Sequence, residues 1–279
     1  MILRTRPAKS AAKYATVWSP EGSPLRTWTD KQTKLLGGYL GERGQRVIVR
    51  SAMRYGSPAI PQVLDELKAE GATRILILPL YPQYSATTTA SVIDAVCTWA
   101  LRIRSLPELR FVNRYHDEPG YIQALAKRIT DLWTDRGRPD KLVLSFHGIP
   151  KRTMALGDPY YSECLTTARL ITEQLRVDPQ QVVVTFQSRL GRAEWLQPYT
   201  EPTLVALARQ GVKRVDVACP GFTSDCLETL EEINQEAREA FLHAGGEEFN
   251  YLPCLNDQHE WIATLAALTI RHTQGWPRA

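Results

Sequence analysis

The sequence lacks long hydrophobic runs and clustered cysteines. No apolar stretch in its 279 residues approaches the roughly 20 residues of a membrane-spanning helix. The start Met1–Arg6 lacks the apolar core of a secretory signal. The five cysteines are widely spaced, without a CxxC pair, which argues against a disulfide framework, a zinc ribbon or a clustered iron–sulfur site. We therefore expect a cytoplasmic protein with reduced thiols.

Nucleotide and nucleic-acid motifs are also missing. Neither GxGxxG nor GxxxxGK[ST] follows a predicted strand, and the basic residues are not interleaved with aromatic residues, so we expect no nucleic-acid partner. Acidic residues are scarce at the front, where residues 1–54 hold eleven Lys and Arg but three Asp and Glu. This bias indicates either a solvated face or attraction to an acidic ligand or anionic lipid, which would mean peripheral membrane contact.

Short runs rich in Val, Ile and Leu alternate with amphipathic segments of helical length. This alternation predicts an α/β fold whose parallel sheets are covered by helices on both faces. The predicted strands lie near residues 46–52, 74–80, 109–114, 141–146, 181–186, 214–218 and 249–252. The predicted helices lie near residues 61–70, 88–104, 121–134, 162–175, 201–210, 227–244 and 260–271.

A polar segment containing Gly and Pro, residues 135–140, divides the chain into two halves. The strands of each half follow one another at a spacing of about 30 residues, the length of a βαβ unit. We therefore predict an N-terminal domain of residues 1–136 and a C-terminal domain of residues 137–279. Right-handed crossovers would turn both sets of strand ends toward an inter-domain cleft, a favoured ligand site.

His147 ends a predicted strand and leads directly into a turn. Gly148 removes bulk beside it and Pro150 ends the strand. Ligands of open α/β sheets bind at the carboxyl ends of the strands. A histidine titrates at about pH 6.5 and can accept a proton or bind a metal, although an isolated histidine at a strand end is also commonly structural.

Three glutamates follow another strand end. The strand predicted to end at Ala218 is followed by a helix in which Glu228 and Glu232, four residues apart, share one face, with Glu231 beside them. Acids in a first turn commonly suit the helix dipole. Stacked like charges destabilise a helix unless protons or a metal relieve them, so these residues are also candidates for proton or metal chemistry.

Two further strand ends carry polar and aromatic residues. Tyr84 and Ser85 lie where a strand gives way to a helix, and hydroxyl groups there either cap the helix or meet an anionic group. Ser188 and Trp195 follow a later strand end, where the Trp is a core anchor or a flat wall for a planar ligand. We assign these four as candidate substrate-binding residues.

From about Arg4 to Thr269, the sequence closely resembles ferrochelatase, which inserts ferrous iron into protoporphyrin IX in the last step of haem synthesis. The segments that carry this resemblance are Gly22–Pro24, Tyr81–Ser85, Ser145–Pro150, Gly157–Tyr160, Phe186–Ser188, Trp195–Leu196 and Thr223–Leu230.

The resemblance implies two flavodoxin-like, doubly wound domains with the porphyrin in the cleft between them. It implies His147 as the catalytic histidine, Glu228 as the carboxylate that faces it across the metal site, and Glu232 as the continuation of an acidic path. The metal ligands would be His147 and Glu228. The partners would be protoporphyrin IX and ferrous iron, with the protein a monomer or a homodimer.

Metal insertion requires two pyrrole protons to leave as a divalent cation arrives. His147 would accept protons or bind the metal transiently, with Glu228 and Glu232 moving protons or iron. We expect no permanently bound cofactor, because Fe(2+) is a substrate. Cys226 stands where the animal enzymes have histidine, and no cysteine cluster lies near the C-terminus, so no [2Fe–2S] cluster is expected.

Family members begin with a strand, a Gly-Thr-Pro-like loop and a helical lip before the region that matches Met1. Without them, we expect residues 1–279 to be poorly soluble or inactive, and normal turnover would overturn that expectation. Two alternatives stay open: a coproporphyrin ferrochelatase and a non-catalytic porphyrin- or haem-binding fragment.

Overall fold

The computed structural model describes residues 11–277, so the interpretation of Met1–Arg6 lies outside the described residues. The described α-helices are residues 11–17 (α1), Pro24–Glu42 (α2), Ile60–Ala69 (α3), Thr89–Ala100 (α4), Pro119–Arg136 (α5), Arg152–Ala155 (α6), Tyr160–Leu175 (α7), Thr200–Arg209 (α8), Arg238–His243 (α9) and His259–His272 (α10). The strands are Arg74–Ile77 (β1), Glu108–Phe111 (β2), Lys141–His147 (β3), Val182–Gln187 (β4), Arg214–Ala218 (β5) and Glu248–Tyr251 (β6). None of these helices is both long and apolar enough to cross a membrane.

The C-terminal half is built on a four-stranded parallel sheet in the order β4-β3-β5-β6. Counted from β3, this is the 2-1-3-4 order of a flavodoxin-like sheet, in which the chain changes direction beside the first strand. Alternate residues of β3 pack on opposite faces: Leu142 and Leu144 join one hydrophobic cluster and Val143 joins another. The predicted α/β class with parallel sheets is confirmed.

In the N-terminal half, β1 and β2 form a parallel pair. The strand predicted at residues 46–52 is wrong, because the described part of the chain supplies no ladder for it and only an isolated bridge joins Met53 to Ala59. Its apolar residues Val47 and Ile48 are each 48% exposed. A run of β-branched residues becomes a strand only where another strand completes its hydrogen bonds.

Helix α2 was not predicted from the sequence. Ser23 caps it by accepting a hydrogen bond from the backbone N–H of Arg26, and Pro24 occupies its first turn. Its buried face includes Thr29 and Gln32 as well as leucines, so the apolar period that marks a helix is weak there.

The helix predicted at residues 227–244 differs in type from the observed one. Residues Glu228–Ala237 form a π-helix, which continues into α9. A π-helix has i→i+5 hydrogen bonds and wider turns than an α-helix, and such segments are frequent at functional sites. The sequence pattern favoured an ordinary α-helix, because hydrophobic periodicity does not distinguish the two over so short a segment.

Helix α5 lies N-terminal to the predicted domain boundary but packs against the C-terminal sheet. Its Tyr121 and Ile129 belong to the same hydrophobic cluster as Leu142 of β3. Trp133 Nε1 donates a hydrogen bond to Asp216 of β5 at 2.9 Å. The boundary at residue 136 stays a prediction, and these contacts join α5 to the sheet that leads to the site.

Candidate active site

His147 is the last residue of β3 and is half-buried. Its Nδ1 lies 2.6 Å from the carbonyl oxygen of Gly148. Because a carbonyl only accepts hydrogen bonds, Nδ1 must carry the hydrogen, which leaves the lone pair of a neutral imidazole on Nε2. The geometry therefore directs one ring nitrogen to the backbone and keeps the other available for a proton or a metal.

Two aromatic rings flank this imidazole. The ring centroids of Trp195 and Phe222 lie 6.4 and 6.2 Å from that of His147. Trp195 is half-buried, and its Nε1 donates to the carbonyl oxygen of Leu190 at 2.9 Å. The structure thus brings Trp195 beside His147, where its ring forms an apolar wall.

At Gly148, the backbone that follows β3 lies close to the end of β4. The backbone N–H of Gly148 donates to the carbonyl oxygen of Gln187 at 2.7 Å. A Cβ added at Gly148 would lie 2.8 Å from that oxygen and 3.2 Å from the ring of Trp195. Glycine at this position therefore permits β3 and β4 to end side by side under Trp195.

The loop after β4 joins the sheet to the π-helix. The side chain of Gln187 donates from Nε2 to the backbone carbonyl of Glu228 at 2.7 Å. Ser188 has a left-handed backbone with φ of 65°. Its N–H donates to a carboxylate oxygen of Glu232 at 2.7 Å, and its hydroxyl donates to the other oxygen. Ser188, a predicted substrate contact, thus holds Glu232 in this structure.

Glu228 is half-buried on the first turn of the π-helix. Its negative charge opposes the ionisation of Tyr14, Cys226 and Tyr81. Burial, followed by the charge of Glu228, raises the pKa of Tyr14 and of Cys226. Burial also raises the pKa of Tyr81, and Tyr55 and Glu228 add to that effect. Tyr14 and Tyr81 were missed from the sequence, because nothing in its local pattern brings either residue to Glu228.

Helix α1 is held to the outer side of the π-helix by ion pairs. Lys13 Nζ lies 2.9 Å from a carboxylate oxygen of the buried Glu231 and 2.7 Å from one of Glu236. Burial alone would lower the pKa of Lys13, but hydrogen bonds to the two carboxylates outweigh it and raise that pKa. The ammonium group thereby offsets negative charge beside the glutamates of the site.

Tyr84 and Ser85 lie against α7. The backbone N–H of Tyr84 donates to Glu163 at 2.7 Å, and the guanidinium of Arg114 stacks 5.2 Å from the Tyr84 ring centroid. Ser85 has no exposed surface, and its hydroxyl donates to Asp158 at 2.9 Å. These contacts anchor the loop after β1, which also carries Tyr81.

Within residues 11–277, no three His, Cys, Asp or Glu side chains are grouped as metal ligands. The predicted pair, His147 and Glu228, offers one nitrogen and one carboxylate.

Comparisons with known proteins agree on one family. The family model described as ferrochelatase matches residues 1–273. Curated ferrochelatases from Methylibium petroleiphilum, Polaromonas sp. and Bordetella pertussis are 70%, 62% and 53% identical, with alignments that cover 99% of this chain and 76% of each relative.

Solved structures support the fold. The SirB protein from Bacillus subtilis matches with a TM-score of 0.64 at 16% identity, over 91% of this chain and 92% of that one. CbiX, described as the terminal enzyme of sirohaem biosynthesis in denitrifying bacteria, matches with a TM-score of 0.59 at 14% identity, over 90% and 94%. At these identities the likeness shows a shared chain fold.

Proposed function

The chain belongs to the ferrochelatase family, and from that premise we propose that it inserts ferrous iron into protoporphyrin IX to form protohaem at a site formed by His147, Glu228 and Glu232. It is a chelatase, an enzyme that forms metal–nitrogen bonds in a porphyrin. The observation that carries the site assignment is the contact of His147 Nδ1 with the carbonyl oxygen of Gly148 at the end of β3, which leaves the lone pair of a neutral imidazole on Nε2.

Proton removal is the first requirement of the reaction. Two pyrrole N–H protons must leave the porphyrin before its nitrogens can bind iron. A neutral imidazole with its lone pair on Nε2 is a suitable acceptor near neutral pH. The rings of Trp195 and Phe222 beside His147 provide flat apolar surfaces for a planar macrocycle.

Glu228 and Glu232 supply the negative charge that the metal and the departing protons require. Glu232 is fixed by two hydrogen bonds from Ser188. Glu228, on the first turn of the π-helix, is the proposed partner of His147 for iron. Iron is a substrate here, and a site with few protein ligands can release it to the four porphyrin nitrogens.

The proposed contacts of the porphyrin are Trp195, through its ring, and the loops that carry Tyr84, Ser85 and Ser188. Ser85 and Ser188 are engaged with carboxylates, so their proposed role is to shape the pocket through Asp158 and Glu232. We also propose that no permanent cofactor or [2Fe–2S] cluster is bound, and that the protein works in the cytoplasm as a monomer or homodimer, with peripheral membrane contact through its basic front.

Anaerobic assays with ferrous iron test the function. Protoporphyrin IX and coproporphyrin are each titrated by fluorescence, and haem formation is then followed by absorbance. We expect binding of protoporphyrin IX and its metallation with the higher kcat/KM, an outcome that would overturn the sequence-based expectation that residues 1–279 are poorly soluble or inactive. Preference for coproporphyrin, which carries four carboxylates, would replace the proposed substrate, and tight porphyrin binding without iron insertion would contradict the proposed catalysis.

A further inference from the structure

The segment Tyr81–Thr87 follows β1 and is anchored in large part by groups from α7 and the residues just before it, with further hydrogen bonds to Tyr115 and Tyr121. Glu163 is only 4% exposed. It accepts hydrogen bonds from the backbone N–H of Tyr84 and from Arg114, each at 2.7 Å. His116 Nδ1 lies 3.4 Å from the same carboxylate. The buried carboxylate of Glu163 therefore binds both the segment that follows β1 and the segment that follows β2.

Asp158 provides a second anchor on the same segment. One of its carboxylate oxygens accepts from the hydroxyl of Ser85 at 2.9 Å and from the N–H of Ala86 at 2.8 Å. The other accepts from the N–H of Tyr160 at the start of α7, at 3.0 Å. Charge-assisted hydrogen bonds of this kind are about twice as strong as neutral ones.

The N-terminal end of the segment lies beside the turn that precedes the π-helix. The carbonyl oxygen of Leu80 accepts a hydrogen bond from the hydroxyl of Thr223 at 3.3 Å, and Thr223 lies in the turn that leads into the π-helix. Tyr81 follows directly and is 38% exposed. The anchors thus determine where Tyr81 stands relative to the turn that leads into the π-helix.

We propose that Glu163 and Asp158 are positioning residues of the metallation reaction, which hold the segment Tyr81–Thr87 so that Tyr81 stands beside the turn that leads to Glu228. This inference rests on the proposed function. The two carboxylates belong to the C-terminal half and the segment they hold to the N-terminal half. They therefore set the spacing of the two halves at the site without touching the substrate.

A double-mutant cycle on kcat/KM tests the positioning role. Glu163→Gln keeps the size of the side chain but removes its charge, and we expect a loss in kcat/KM of about tenfold from the weakened hydrogen bonds, mainly through the KM for protoporphyrin IX. The matched control is Glu173→Gln on the same helix, where the carboxylate is exposed and paired with Arg169. The control should leave kcat/KM unchanged.

The same substitution is then made in a Tyr81→Ala background. If Glu163 acts through Tyr81, Glu163→Gln should change kcat/KM of the Tyr81→Ala protein by less than about twofold, since residues that act together are non-additive. If Glu163→Gln unfolds at the assay temperature, Arg114→Gln replaces it in the cycle. Arg114 is half-exposed, and its substitution breaks the ion pair with Glu163.

Multiplicative effects of the two substitutions would overturn the inference, as would a Glu163→Gln protein that behaves like Glu173→Gln. In either case an active wild-type chain leaves the proposed function in place. A wild-type chain that inserts no iron would instead contradict the proposed function, and this inference with it.

Discussion

At the scale of single residues, His147 and Gly148 show how one dipeptide sets the geometry at the end of β3. The histidine was selected from the sequence because it ends an apolar run, and the structure places it at the end of β3. Which ring nitrogen is free could not be read from the sequence, because that depends on the backbone direction after β3. The same holds for Tyr14 and Tyr81, which reach Glu228 only through tertiary packing.

Gly148→Ala should lower the free energy of unfolding by about 1–3 kcal/mol, the usual cost of overpacking, because the new methyl group would meet the carbonyl oxygen of Gln187 and the ring of Trp195. Gly38→Ala is the matched control, since no atom lies within 4 Å of its added Cβ and it lies within α2. It should stabilise by about 0.5–1 kcal/mol through helix propensity.

Urea unfolding followed by circular dichroism measures both changes. Equal urea midpoints for Gly148→Ala and wild type would show that the ends of β3 and β4 can accommodate a methyl group despite these short contact distances.

At the scale of elements, the predictions succeeded where local pattern and tertiary context agree. The strands of the C-terminal sheet were found because a doubly covered strand is apolar on both faces. Residues 46–52 have the same composition but no neighbouring strand among the described residues, and composition alone could not reveal this. The π-helix was expected as an α-helix for a similar reason. The residues that contact it, such as Gln187 with the carbonyl of Glu228, lie elsewhere in the chain.

Ser188→Ala tests the link between β4 and the π-helix. Loss of the hydroxyl removes one of the two Ser188 hydrogen bonds to Glu232, and we expect kcat for iron insertion to fall about tenfold, the effect of a lost hydrogen bond to a charged group. Ser162→Ala, which removes an exposed hydroxyl at the start of α7, should leave kcat unchanged. An unaltered kcat in Ser188→Ala would show that Glu232 needs no support from this loop.

At the scale of the whole molecule, the two halves share a hydrophobic core. Tyr115 and Tyr121, which precede the predicted boundary, are almost fully buried in the cluster that includes Phe146 and Trp261. The predicted boundary rests on a polar Gly- and Pro-containing segment, and polarity does not reveal which sheet a preceding helix covers.

Fragments test this organisation. A fragment of residues 113–279 should unfold cooperatively, whereas residues 137–279 should not, because removal of α5 exposes one face of β3 and each large side chain lost costs about 1.5–3 kcal/mol of burial. Differential scanning calorimetry of the two fragments gives the comparison. A cooperative transition of residues 137–279 alone would mean that α5 is dispensable to the C-terminal sheet.

The central claim is that His147 removes protons or binds iron while a porphyrin is metallated. The most direct measurement is the anaerobic rate of haem formation from protoporphyrin IX and ferrous iron, compared between wild type and His147→Ala. His243→Ala, at the exposed end of α9, serves as the control. We predict a fall of at least about 100-fold for His147→Ala, the scale of a lost general base, with unchanged circular dichroism and porphyrin binding. A folded His147→Ala protein with near wild-type turnover would contradict the account.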